Sequence, residues 1–272
     1  MNRIIETDDI GSPELAPYFS LTEAQLKSKS DPSRALFVAE GSKVIATAAA
    51  SGYEAVSILT QRRYLLGAAR QALEAFPDAP VYILPPELFK RLTGYSLTRG
   101  ALCAVKRKPQ PPLEMILAGA RRVALLDGIA DSTNMGAIFR SAAALGMDAV
   151  ICASSCCDPL LRRSLRVSMG TVLQIPWCFV PDISRVKNAG FVLAAMALKP
   201  GALRPDDPRL KEIPRLAVVL GSEGWGLGEE TLALCDHTVC IPMKRGVDSL
   251  NVAAASAVAF WELMKNEKGA DR

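Results

Sequence analysis

Residues 126–146, LDGIADSTNMGAIFRSAAALG, decide how this chain is read. An apolar run over 123–127 ends at Asp127, a short polar loop follows, and a helical stretch begins. Asn134 is a good N-cap for a helix over 135–145, and Gly146 supplies its C′ stop. Two later stretches have the same layout: 220–228 (LGSEGWGLG) and 241–252 (IPMKRGVDSLNV). Each reads as a strand end, a glycine-rich or polar loop, and a helix start. In open α/β sheets, ligands bind at the carboxyl ends of strands. Three such loops imply one composite site.

Around these loops, strands are expected at 123–127, 149–152, 191–196, 216–220 and 237–241, with helices between them and over 251–265. That alternation predicts a mostly parallel sheet covered on both faces. The first half alternates as well. Strands are expected at 35–39, 55–59, 81–84 and 101–106, and helices from Gly41–Ser42, over 64–76 and over 87–92. The clearest linker is KRKPQPP at 106–112, where three cations precede three prolines. The expected organisation is an extension (1–30), a small α/β domain (31–106), a linker (107–119) and the larger α/β domain (120–272).

Bulk properties narrow the class. The chain has 272 residues, half of them apolar, which excludes a disordered protein. Net charge is +4, and the excess lies at 21–109, with thirteen basic residues against seven acidic. This permits a nucleic-acid partner without requiring one. Seven cysteines, an odd number without a C-x-x-C pair, fit reduced thiols in a cytoplasmic setting. Cys235, His237 and Cys240 lack zinc-site spacing, so no metal is expected. The acidic start has no apolar signal core, and no run approaches the ~20 residues of a membrane span. A soluble, cytoplasmic protein without a membrane partner is expected.

The loops restrict the chemistry further. Arg140 lies among Ala, Ile, Phe and Ser; its plainest reading is a snorkelling arginine. A helix start near an arginine also suits a phosphate or carboxylate. Gly221, Gly224, Gly226 and Gly228 permit close backbone approach, yet form neither a dinucleotide fingerprint nor a Walker loop. Glu223 and Trp225 between them are expected on an exposed loop. Ser249 or Asn251 can cap the last helix, whose alanines favour tight packing on a neighbour or a second copy. With His237 the only histidine and no G-x-S-x-G elbow, a Ser-His-Asp hydrolase is disfavoured. Arg162, Arg163 and Arg166 after Asp158-Pro159, and Arg121–Arg122, can face either RNA or plain solvent.

Together the three stretches resemble the SpoU/TrmH family of RNA ribose 2′-O-methyltransferases in the SPOUT superfamily. Asn134-Met135-Gly136-Ala137-Ile138-Phe139-Arg140 matches the family's Asn-x-Gly-x-x-x-Arg core. Gly221–Gly224 matches its Gly-Ser-Glu-Gly; Ile241–Met243 and Ser249–Val252 match its Ile-Pro-Met and Ser-Leu-Asn-Val. Ser168-Met169-Gly170 matches a Ser-x-Gly step. The resemblance covers about residues 120–265. The first domain is similar to the L30e-like substrate-binding domain of many members, on Phe37–Gly41 and Gly100–Leu102.

The resemblance implies a deep trefoil knot, an exception to the rule against knots, with S-adenosyl-L-methionine as cofactor, homodimers, and RNA as substrate, ribosomal rather than transfer RNA. It makes Arg140 the principal catalytic residue. A guanidinium, which does not give up its proton in proteins, suits a phosphate clamp and alkoxide stabiliser better than a base. Asn134 and Asn251 would position Arg140 and the nucleotide, Glu223 would anchor the loop, and Ser249 would bond substrate or cofactor. Leu198, Gly221, Ile241 and Leu250 would hold the adenosine. Rival readings are a transfer-RNA enzyme, a non-catalytic RNA-binding protein of the same fold, and a base methyltransferase. The combined Asn134, Arg140, Glu223, Ser249 and Asn251 set disfavours the last two.

Overall fold

The computed structural model describes residues 2–28, 30–93, 96–222 and 224–265. The chain divides into two compact units, one of 1–109 with 160–174, the other of 110–159 with 175–272.

The first unit is built on a mixed five-stranded sheet of β1 (Ile4–Glu6), β2 (Leu36–Glu40), β3 (Ala55–Thr60), β4 (Val81–Ile83) and β5 (Ala101–Lys106), in the order β1-β4-β3-β5-β2. β5 runs antiparallel to β2 and β3; β4 is parallel to β3 and β1. The first thirty residues, expected as an extension, belong to this unit. β1 is an edge strand of the sheet. Leu15, Tyr18 and Leu26 pack with Val38, Leu59, Leu84, Phe89 and Leu102 in one core. The Tyr18 hydroxyl donates to the Ser57 carbonyl (2.7 Å) and accepts from the Ala104 amide (3.2 Å). A helix expected over 64–76 is instead a 3-10 turn, Arg62–Tyr64, and a short helix, Arg70–Ala75. The Ala69 amide turns back to the Tyr64 carbonyl (2.9 Å), and Gly67 lies between them.

Residues 160–174 also pack within this unit, although the sequence placed them in the larger domain. Helix Arg162–Val167 lies against β2. Arg162 and Arg166 reach the two carboxylate oxygens of Glu40, each at 3.7 Å. Glu40 is 5 % exposed. An ionised carboxylate that far from water needs such partners. Two of the arginines considered for RNA therefore hold an internal charge.

The second unit has six strands: β6 (Arg122–Leu126), β7 (Ala149–Ala153), β8 (Trp177–Val180), β9 (Val192–Met196), β10 (Leu216–Leu220) and β11 (His237–Val239). Their order is β11-β9-β10-β6-β7-β8, and every pairing is parallel. β6, β7 and β10 are buried at every position, as strands covered on both faces are. Val123, Leu125, Ile151, Leu193 and Val219 share one core with Leu113, Leu117 and Val186. Leu113 and Leu117 belong to helix Leu113–Leu117. The expected linker 107–119 therefore contains a core element of this unit. Helices Ser132–Ala144 and Val252–Met264 pack on each other; the first also contacts β7 and the second β10. Phe139 meets Trp177 edge-to-face at 6.2 Å between centroids. β8 was absent from the expected strands; its four residues follow Pro176 with no polar alternation to mark them.

At the opposite ends of these strands, two arginines tie the backbone together. Arg122, 2 % exposed, donates to the carbonyls of Ile213 (2.8 Å) and Lys211 (3.2 Å). Arg215 donates to those of Ala189 and Leu117 (both 2.6 Å) and stacks on Phe191 at 4.2 Å. Arg122, considered as an RNA contact, is thus a structural group.

Candidate functional site

β9, β10 and β11 are neighbours, so their carboxyl ends and following loops meet at one edge of the sheet. There they enclose a cavity of about 710 Å³. Its walls come from 196–199 after β9, from 220–222 and 224–227 after β10, and from 239–241, 243, 248–252 and 255 after β11. Leu198, Gly221, Ile241, Ser249, Leu250 and Asn251, singled out in the sequence, all line it. A pocket of roughly 300–1,000 Å³ with apolar walls and a few polar groups suits a small molecule.

The loop after β10 is a small hairpin. Ser222 and Gly226 exchange backbone hydrogen bonds of 3.0 Å in both directions. Gly226 has φ +66°, in the left-handed region that favours glycine. A Cβ at Gly221 would lie 2.5 Å from the Gly226 carbonyl carbon and oxygen. Only glycine fits there, which is what folds this wall of the cavity back on itself. Glu223, assigned to this loop, lies outside the described residues.

The helix carrying Asn134 and Arg140 starts three residues earlier than expected. Asp131, not Asn134, is its N-cap: Oδ1 accepts from the amides of Thr133 (2.7 Å) and Asn134 (2.9 Å). A carboxylate serves as well as an amide at a cap. This frees the Asn134 side chain, 9 % exposed, to accept at Oδ1 from Asn251 Nδ2 (3.1 Å). Asn251 also caps helix Val252–Met264, its Oδ1 accepting from the amides of Ala253 (3.0 Å) and Ala254 (3.3 Å). The first and third sequence stretches are therefore joined by one amide–amide bond. Arg140, later on the Asn134 helix, is exposed. It is not part of the cavity wall, and among the described residues no hydrogen bond or ion pair engages its guanidinium.

Asp127 was read only as a strand end. Its Oδ2 accepts from Thr231 Oγ1 (2.7 Å), and its Oδ1 from Ser155 Oγ (2.8 Å). Ser155 Oγ in turn accepts from the Gly128 amide (2.9 Å). Asp127 so ties the first loop to helix Glu229–Leu234 behind the hairpin. Sequence reasoning also passed over Lys199 in the cavity wall; the strand end at Met196 was the available signal.

The two thiols that follow β7 are not activated. Burial pushes the Cys157 thiol up to about 12, with Cys156 and Asp158 adding to the effect. Cys156, its Sγ donating to the Leu126 carbonyl (3.3 Å), is raised by burial too. Among the described residues no group of three His, Cys, Asp or Glu side chains could hold a metal ion, and no helix is long and apolar enough to cross a membrane.

Comparison with known proteins agrees with this geometry. Residues 121–261 match the model of the SpoU rRNA Methylase family. An uncharacterised tRNA/rRNA methyltransferase of Mycobacterium bovis is 37 % identical over 264 residues, 93 % of this chain and 89 % of that protein. The Bacillus subtilis 23S rRNA (guanosine(2553)-2′-O)-methyltransferase is 29 % identical over 191 residues, 66 % of this chain and 76 % of that protein. Among solved structures, the SpoU methyltransferase AviRb of Streptomyces viridochromogenes, in complex with AdoMet, has a TM-score of 0.74 at 26 % identity, covering 89 % of this chain and 95 % of that one. An AdoMet-bound rRNA methyltransferase from Sinorhizobium meliloti shares the fold, with a TM-score of 0.80 at 21 % identity over 98 % of this chain and 99 % of that one. A parallel sheet with three strand-end loops around one cavity, the Asn134–Asn251 bond, and a family match over half the chain lead to one assignment: this chain belongs to the SpoU rRNA methylase family.

Proposed function

We propose that this chain transfers a methyl group from S-adenosyl-L-methionine to a ribose 2′-hydroxyl of ribosomal RNA. The observation that carries the proposal is the cavity: residues of the second and third sequence stretches wall it, and Asn251 bonds it to the helix of the first. The residues fit the donor. Apolar Leu198, Ile241 and Leu250 suit an adenine, and the glycine hairpin brings backbone donors and acceptors close. Bound there, the donor supplies a methyl already activated by its sulfonium, so no metal is required.

The chain's own residues have three tasks. Leu198, Gly221, Ile241 and Leu250 orient the adenosine, and Ser249 offers a hydroxyl to donor or ribose. Asn251 and Asn134 fix the helix start from which Arg140 projects. Arg140 holds the RNA phosphate and stabilises the negative charge that develops on the 2′-oxygen as the hydroxyl proton passes to water and the methyl–sulfur bond breaks; a guanidinium does both in a planar, bidentate geometry. Alignment and charge stabilisation together supply most of what such a displacement needs. Glu223 anchors the hairpin. In this reading the second unit carries the deep trefoil knot of SPOUT enzymes, and the first is an L30e-like domain that grips RNA in the cytoplasm.

The protein acts as a homodimer. Val258 (39 % exposed) and Trp261 (55 % exposed), both on helix Val252–Met264, offer an apolar patch for a second copy. Light scattering should give twice the chain mass, falling to the monomer mass in Trp261→Glu.

The decisive experiment incubates the chain with labelled donor and total RNA from cells lacking its gene, then maps the label. A 2′-O-methyl blocks alkaline cleavage at its own 3′-phosphate, so one protected nucleotide is expected. Label on a base overturns ribose chemistry. Label only in transfer RNA moves the substrate class. No transfer, together with no heat of donor binding, overturns the reading.

A further inference from the structure

We infer that Trp225 is a stacking platform for an unpaired base of the RNA beside the methylated ribose. This rests on the reading of the cavity as the methyl-donor site. Of the chain's three tryptophans, Trp177 is 8 % and Trp261 55 % exposed, whereas Trp225 is 93 % exposed. The backbone that carries the indole is held. It lies on the hairpin closed by the Ser222–Gly226 bonds of 3.0 Å, and its own amide lies 3.4 Å from Ser222 Oγ. Gly221 locks the base of that hairpin. A large apolar side chain left in water at the rim of a cavity is a surface prepared for something that arrives.

The surroundings identify the arrival. Leu198 (58 % exposed) and Leu250 (39 % exposed) share the cavity wall with Trp225, as do the Lys199 ammonium and one acid, Asp248. An exposed aromatic ring, apolar neighbours and a cation form the usual equipment for single-stranded nucleic acid: base on ring, phosphate on ammonium. The chemistry also calls for it. A 2′-hydroxyl delivered to the cavity brings its nucleotide out of a helix, and the loss of stacking must be offset. An exposed indole restores a stacking partner whatever the base.

The test compares the full-length chain with Trp225→Ala and Trp225→Phe. With ribosomal RNA as substrate, Trp225→Ala should lower kcat/KM for RNA by about 10- to 100-fold, as loss of one base–aromatic stack does. Trp225→Phe should recover most of it. The calorimetric Kd for S-adenosyl-L-methionine should stay within about two-fold in both variants, since no stack on the donor is lost. An unstructured adenylate dodecamer should quench indole fluorescence in the unaltered chain and not in Trp225→Phe. Unchanged kcat/KM in Trp225→Ala overturns the inference, as does a matching loss of donor affinity, which would place the indole over adenine. A change of oligomer size in Trp225→Ala would assign the ring to a subunit contact and overturns it too. Failure of the unaltered chain to methylate any RNA overturns the cavity reading itself and is distinguishable from all of these.

Discussion

At the residue scale, Arg140 and Asn134 share one helix but play different parts. Arg140 is exposed and, among the described residues, unengaged, so replacing it should cost little stability. Arg140→Ala should lower kcat/KM for RNA by about 10²–10³-fold, the scale of one preorganised charge-stabilising group, with an unchanged melting temperature. Arg140→Lys should recover little, because an ammonium lacks the planar fork. Near-full activity in the lysine variant would remove any special guanidinium role. From its own segment Arg140 read as a snorkelling arginine; its proposed role came from the family resemblance. The cap was misplaced because Asp131 and Asn134 are both good caps three residues apart, and one residue type cannot tell which carbonyl begins the helix. The Asn134–Asn251 pair was beyond reach: 117 positions separate them, and no local pattern encodes a bond of that span.

At the scale of elements, the strand-end loops depend on the ends of the helices and strands that flank them. Asn251 caps the last helix through two amides and also holds Asn134. Asn251→Ala should cost about 1 kcal/mol or more, a melting shift of about 2–4 °C for a protein of this size, and activity should fall further than stability. β11 offers a test by acid. Asp236, just before it, accepts from the Leu193 amide (2.9 Å) and pairs with Lys187 (2.8 Å), binding β11 to β9. Burial pushes its carboxyl up, but Lys187 and the Leu193 amide outweigh this and leave it below the ordinary value. Its contribution is therefore complete above the unfolded value near pH 4 and is lost as pH falls through the lower folded value. The urea midpoint should drop between about pH 4 and pH 2, less steeply in Asp236→Asn; equal slopes would refute the linkage. The strands of this sheet were legible, β8 excepted, because two-sided burial writes continuous apolar runs. The short helix inside the proline-rich stretch was not, since Leu113 and Leu117 declare themselves only by the core they enter.

At the scale of the whole molecule, sequence pattern gave a parallel sheet with a ligand edge, and the family resemblance gave its chemistry. Neither assigned 160–174 to the first unit. The chain leaves that unit after 109, returns at 160 and leaves again after 174. A fragment ending at 109 would lose both guanidiniums that meet Glu40, together with the helix that packs on β2, and would still carry Tyr18 to report on the core. That fragment should unfold at lower urea than one carrying 160–174 on a short tether, and Glu40→Gln should narrow the gap, as read by tyrosine fluorescence. Indifference to both changes would show that the pairing adds nothing. The threading has a wider consequence. A module with one entrance and one exit can be cut, copied and fused to another enzyme by a single recombination at its border. Here no one breakpoint yields either half intact, so exchange of the first unit by recombination must carry 160–174 as well, or be repaired at the Glu40 site afterwards.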